Sequence, residues 1–132
     1  MNEDSASGTG SLGPDERLKR RPEFQAVFDE GRRTHGRFMT ILVRANRLAR
    51  ARLGVVATRK LGGAVERNRA KRLIRHLFRT HKSDIGRDGQ DIVVIPRREL
   101  LDAAFSAIEA DYKSSLVKHF RSNRGRGTER DR

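Results

Sequence analysis

The chain has 132 residues, enough for one domain, and its 30 Lys and Arg against 17 Asp and Glu leave a net charge of +13. Such an imbalance opposes compaction by self-repulsion and favours a polyanionic partner, either nucleic acid or an anionic membrane surface. The absence of cysteine excludes disulfides and thiolate metal sites and fits a cytoplasmic protein, no apolar run is long enough to span a membrane, and no apolar stretch near the N-terminus reads as a secretory signal.

Residues 1–15 are polar, rich in Gly and Ser, and mildly acidic. They carry too little apolar surface to offset their ordering entropy and are expected to be disordered. A basic run follows at residues 17–21. Pro22 suits the first turn of a helix. Phe24, Val27 and Phe28 recur at helical spacing, and Gly31 stops the helix. A short strand is expected over residues 32–35. Residues 37–45 are rich in β-formers, with Phe38, Thr40 and Leu42 on one face and Met39, Ile41 and Val43 on the other. Both faces are largely apolar, so this strand is expected to be central or covered on both sides. Residues 46–50 form a loop with Arg47 and Arg50. The next strand, residues 53–58, is expected to run antiparallel to the last because the link is short.

Residues 59–82 hold nine of the 30 cationic residues and one acid, Glu66. Arg59 and Lys60 leave the sheet, Leu61-Gly62-Gly63 turn the chain, and a helix follows. At about 100° per residue, Ala70, Leu73, Ile74, Leu77 and Phe78 gather on one face, wide enough to dock on a core. Asn68, Arg72, Arg75 and Arg79 fall on the opposite face. Arg67 and Lys71 flank them on one side, Arg69 and His76 on the other. The plain reading is a solvated basic face. Against it, Arg72 with Arg75 and Arg75 with Arg79 repel by about a few tenths of a kcal/mol per pair, and a face tuned for stability alternates signs. Guanidinium forks match phosphate oxygens, so the stripe implies a partner that supplies the negative charge.

Residues 83–90 read as a polar loop. Asp91-Ile92-Val93-Val94-Ile95-Pro96 reads as a buried strand closed by proline. Leu101, Phe105, Ile108, Tyr112, Leu116 and Phe120 mark a last amphipathic helix with Asp102 as N-cap. Residues 122–132 are expected to be a disordered basic tail that adds unspecific affinity at most. His35, His76, His81 and His119 are scattered and form no ligand set or triad. Asp84, Asp88 and Asp91 are the one group of acids that could hold Mg²⁺, and they read more simply as solvated. No catalytic residue and no metal held by protein side chains is expected. Residues 16–121 thus read as a single nucleic-acid-binding domain without an active site of its own.

Three blocks carry a resemblance. Ala64-Val65-Glu66-Arg67-Asn68-Arg69-Ala70-Lys71-Arg72-Leu73-Ile74-Arg75 is similar to the signature of the bacterial ribonuclease P protein component, A-x-x-R-N-R-hydrophobic-K-R-L-I-R. Arg52-Leu53-Gly54-Val55-Val56-Ala57-Thr58-Arg59-Lys60 resembles that family's strand leading into a basic pair. Arg17-Leu18-Lys19-Arg20-Arg21-Pro22-Glu23-Phe24-Gln25-Ala26-Val27-Phe28 resembles its first helix. The blocks come in the family's order, within a resemblance covering about residues 17 to 121. Ala70 departs from the family's usual Ile or Val, so a neighbour is expected to fill the missing volume.

The resemblance implies an α+β sandwich of order α-β-β-β-α-β-α, a four-stranded sheet with helices mainly on one side, like the second domain of a small-subunit ribosomal protein. It also implies a left-handed βαβ crossover, where chain physics alone would choose the right-handed form. It implies the protein subunit of ribonuclease P, which assists endonucleolytic removal of the 5′ leader from precursor tRNA. In that family the RNA subunit holds the catalytic centre and its Mg²⁺. The implied partners are that RNA and precursor tRNA, with no membrane and no protein partner. Arg67, Asn68, Arg69, Lys71, Arg72 and Arg75 match the signature and would contact the RNA subunit and the nearby leader, joined by Arg59, Lys60 and Arg79. Phe24, Phe28 and Ile41 would line a leader cleft whose opposite wall is the basic helix. The plain reading of Phe24 and Phe28 as core is compatible with this, because a ring at the edge of a core can show one face to a base. Two other classes remain: a structural, ribosome-associated RNA binder with no role in cleavage, and a stand-alone nuclease, which the missing carboxylate and histidine constellation opposes.

Overall fold

The computed structural model describes residues 13–85 and 89–130. A 3₁₀ turn at Pro14–Glu16 leads into α1 (Arg21–Glu30). Then come β1 (Arg32–His35), β2 (Met39–Ala45) and β3 (Arg52–Val55). A 3₁₀ turn at Arg59–Leu61 precedes α2 (Ala64–Thr80). Another at Lys82–Ile85 precedes β4 (Gln90–Pro96), and a fourth at Arg98–Asp102 precedes α3 (Phe105–Arg130). The order is the expected α-β-β-β-α-β-α of an α+β fold.

The sheet runs β1-β2-β4-β3. β2 is antiparallel to both β1 and β4, and β3 is parallel to β4. The short link between β2 and β3 pointed to neighbouring strands, and they are not neighbours. β3 does run opposite to β2, but the crossover through α2 inserts β4 between them. Burial explains the choice: Ile92, Val93 and Val94 have no exposed surface, so β4 takes a central place.

Two cores result, one on each face. Met39, Ile41 and Val43 of β2 and Ile92 and Val94 of β4 meet α2 and α3 in the larger one. Leu42 and Val93 meet α1 in the smaller one, with Leu18 and Val27. This is why β2 is apolar on both faces. Phe38 breaks the expected alternation: it precedes the strand and joins the larger core.

Glu23 accepts hydrogen bonds from the backbone N–H groups of Lys19 and Arg20 at 2.8 and 2.9 Å, capping α1. Those two bonds, and then Arg52, hold its carboxyl below the usual carboxylate range. Asp102 is not the N-cap of α3. It closes the 3₁₀ turn before it, together with Leu101, and the buried residue of that turn is Leu100. α3 itself continues to Arg130, beyond Phe120, where its apolar spacing ends. Of the N-terminal stretch expected to be disordered, residues 1–12 lie outside the described residues, and Pro14–Glu16 form an ordered turn. Asp88 also lies outside the described residues.

Candidate nucleic-acid interface

α2 is entered through a turn that only glycine suits: Gly62 has φ +130. Thr58 caps the preceding 3₁₀ turn, and Leu61 anchors it at 2% exposure. Glu66, the lone acid, accepts from the Gly63 N–H at 2.9 Å. It caps the helix instead of neutralising the stripe. Arg67 Nη1 donates back to the Gly62 carbonyl at 3.0 Å. Ala70, Ile74, Leu77 and Phe78 are fully buried, and Leu73 packs half-buried against them.

The cations turn out differently in detail. Arg59, Lys60, Asn68, Arg69 and Arg72 are exposed; Arg67, Lys71, Arg75 and Arg79 are half-buried. The open face is therefore rotated from Arg75 toward Arg69, Arg72 and His76. At Arg75 the N-terminal segment lies close. Leu18 N–H donates to the Leu53 carbonyl at 3.0 Å and Arg17 bridges Leu53, while Glu16 pairs with Lys82 just past α2. Arg17 thereby reaches Arg75. Burial first, and then the charge of Arg17, push the Arg75 guanidinium pKa down. Sequence periodicity sees one helix and cannot see the strap laid along it.

The other face of the sheet carries a groove. Directly opposed residues share a face, so strand register defines three rows there. Arg44, Asp91 and Arg52 form the first; Arg33, Leu42, Val93 and Gly54 the second; His35, Thr40 and Ile95 the third, with Val56 beside Ile95. α1 is clamped to the first row at both ends. Glu23 pairs with Arg52 at 2.9 Å and Glu30 with Arg44 at 2.7 Å. The Phe24 ring lies on the second row, directly over Gly54, where a Cβ would fall 2.4 Å from Phe24 Cε1. The third row stays open beside α1: Val56 and Ile95 are half-buried and His35 is exposed. Phe24 and Phe28, each half-buried, form the wall of this strip.

Three sequence expectations differ from the structure. Ile41 has no exposed surface and belongs to the larger core, on the opposite side of the sheet from Phe24 and Phe28. It does not line the groove; Leu42, one residue on, faces that way. Nor is α2 the opposite wall, because α1 and α2 lie on opposite faces. The floor is the sheet itself, from Val56 to Thr40. Asp91 is not a solvated acid or a Mg²⁺ ligand either. It is 1% exposed and takes two bonds from Arg52, both 2.8 Å, and one from Asn46 at 2.7 Å. The hydrogen bond to Asp91, more than any other influence, raises the Arg52 pKa. An Asp inside an apolar run was the signal that it would be buried and paired. Among the described residues no cluster of three or more His, Asp or Glu could hold a metal ion.

Comparison with known proteins identifies the family. The ribonuclease P family model matches residues 12–120. The ribonuclease P protein component of Thermotoga maritima is 45% identical over 85 residues, 64% of this chain and 72% of that protein. The one from Staphylococcus epidermidis is 41% identical over 101 residues, 76% of this chain and 86% of that protein. Among solved structures, the ribonuclease P protein of Thermotoga maritima superposes with a TM-score of 0.70 at 36% identity, covering 78% of this chain and 96% of its own. That of Staphylococcus aureus gives 0.70 at 33%, covering 77% and 93%. With the family model spanning nearly the whole described fold, and relatives matched over most of their length, the chain belongs to the bacterial ribonuclease P protein component family.

Proposed function

We propose that this chain serves two RNAs with the two faces of one sheet: α2 holds the RNA subunit, and the groove beside α1 holds the unpaired 5′ leader. As a ribonuclease P protein subunit it assists the RNA-catalysed removal of that leader from precursor tRNA. The observation that carries the division is the placement of Phe24 and Phe28 on one face and Arg69 and Arg72 on the other. Among the described residues these cations have no carboxylate partner, and such donors suit a folded RNA's phosphates. Half-buried rings beside an apolar floor suit stacked, unpaired bases. The reaction's Mg²⁺ belongs to the RNA subunit, and the donor set described here fits that assignment. Arg59, Lys60, Arg67, Asn68, Lys71, Arg75 and Arg79 extend the α2 surface.

The test separates the faces. Arg72→Ala should weaken assembly with the RNA subunit and flatten the salt dependence by about one unit of slope. Phe28→Ala should leave assembly intact and lower precursor tRNA affinity by about tenfold, as loss of one stacked base implies, while mature tRNA binds as before. If both substitutions weaken the same binding step, the two-face division is wrong. Copurification with ribosomes in place of a single discrete RNA would favour the structural RNA-binding reading.

A further inference from the structure

The groove ends, at β1, on a polar cluster that neither stacking nor the α2 stripe explains. Arg97 Nη2 donates to Thr40 Oγ1 at 3.0 Å, and His35 Nδ1 lies 3.2 Å from the same oxygen. Arg97 is itself tethered, because its Nη1 donates to the backbone carbonyls of Gly36 and Arg37. A threonine hydroxyl has one proton to give. With Arg97 donating to the oxygen, the hydroxyl can give that proton to His35 Nδ1, 3.2 Å away. In that arrangement the ring's own N–H is on Nε2, and the residue is exposed. Arg33 is also exposed, two residues earlier on the same face of β1.

The cluster is thus an oriented N–H donor set between two guanidinium groups, at the end of a strip floored by Val56 and Ile95. It offers donors and positive charge and no free acceptor. That chemistry suits a phosphodiester oxygen, which only accepts, better than a base edge that also donates. We propose that His35, oriented by Thr40 and flanked by Arg33 and Arg97, is a phosphate subsite for the single-stranded leader. It fixes the strand's register along the groove while its bases lie against the Phe24 and Phe28 side. This subsite rests on the groove being the leader site.

The experiment uses the reconstituted protein–RNA complex with cleavage arrested, and measures affinity for precursor and mature tRNA. His35→Ala should weaken precursor binding by about ten- to a hundredfold, the scale of one lost charge-assisted hydrogen bond, and leave mature tRNA unchanged. His35→Gln, which can still present an N–H at similar reach, should keep most of the affinity. Thr40→Val, which frees the ring without touching it, should lose affinity like His35→Ala. Methylphosphonate substitution of leader phosphates, one at a time, should show one position that weakens the wild type and is silent in His35→Ala. If His35→Ala binds normally while Phe28→Ala shows its leader-specific loss, the subsite is wrong and the groove stands. If neither variant affects leader binding, the groove reading itself fails. Equal losses for both tRNAs, or a methylphosphonate pattern unchanged in His35→Ala, would also overturn the subsite.

Discussion

Gly54 sets how deeply α1 sits, and Gly54→Ala tests the geometry of the groove directly. An added Cβ would lie 2.4 Å from Phe24 Cε1, 2.7 Å from Cζ and 3.1 Å from Leu18 Cδ1. The first two are far inside van der Waals contact, and the ring is rigid, so Phe24 must move. It cannot slide freely, because Glu23 beside it is held by Arg52 and by two backbone N–H groups. Overpacking of this kind costs about 1–3 kcal/mol. Removing a glycine from a strand interior returns about 0.5–1 kcal/mol, leaving a net loss of up to about 2.5 kcal/mol. Urea unfolding followed by far-UV circular dichroism gives the number. Phe24→Leu removes the Cε and Cζ atoms, so the double variant should lose less than the sum of the two singles, with a coupling of about 1 kcal/mol. The displaced ring should also lower precursor tRNA affinity without touching mature tRNA. Strictly additive stability losses would show that Gly54 does not set the ring position, and the groove wall would have to be redrawn.

Arg52→Ala leaves the buried Asp91 carboxylate without its guanidinium and should cost about 3–5 kcal/mol; a loss below about 1 kcal/mol in the same unfolding assay would mean that Asp91 is solvated. Ala70→Ile should be destabilising by about 1–3 kcal/mol, because Ala70 is fully buried among the residues of the larger core; a gain in unfolding free energy would reveal a void beside it. Burial, and then the charge of Arg32, hold the His119 imidazole below its ordinary range. The folded state therefore binds fewer protons than the unfolded chain below pH about 6.5, and stability should fall as pH drops through that region. His119→Gln should flatten this fall between pH about 7.5 and 5.5, and identical pH profiles for the two proteins would contradict it.

What the sequence showed depends on how local each signal is. Helix periodicity in α2 places Ala70, Ile74, Leu77 and Phe78 in the core, because one turn of helix determines which residues share a face. The apolar run of β4 and the two-sided pattern of β2 are legible for the same reason. Strand adjacency is not. A six-residue link favours a hairpin in any local reading, and only the competition for the central position puts β4 between β2 and β3. The error at Ile41 is also one of register: period-2 alternation says which residues share a face, not which face meets α1. Arg52 counted as one more cation in the sequence, and its partners Asp91 and Glu23 lie far off along the chain. Nothing local marks Arg97 as the residue that holds Thr40.

The placement of the carboxylates explains why a chain with a charge of +13 folds and still binds a polyanion. On the α1 side, Glu23 and Asp91 neutralise Arg52, and Glu30 neutralises Arg44. Asp111 is spent on the backbone N–H groups of Arg37 and Phe38, both at 2.8 Å, fastening the β1–β2 turn to α3. Glu109 pairs with His81 at the end of α2, and Glu16 with Lys82. Glu66 caps α2. None of these acids pairs with Arg67, Arg69, Lys71, Arg72, Arg75 or Arg79. α2 therefore carries six cations against one acid, a density tolerated because Ala70, Ile74, Leu77 and Phe78 are fully buried on its other side. Each phosphate bound there should release counterions and steepen the fall of log K with log salt by roughly 0.7–0.9. The groove, with fewer free cations and more apolar surface, should bind the leader with a shallower dependence, so raising salt should strip the RNA subunit from α2 faster than it weakens the groove's hold on the leader.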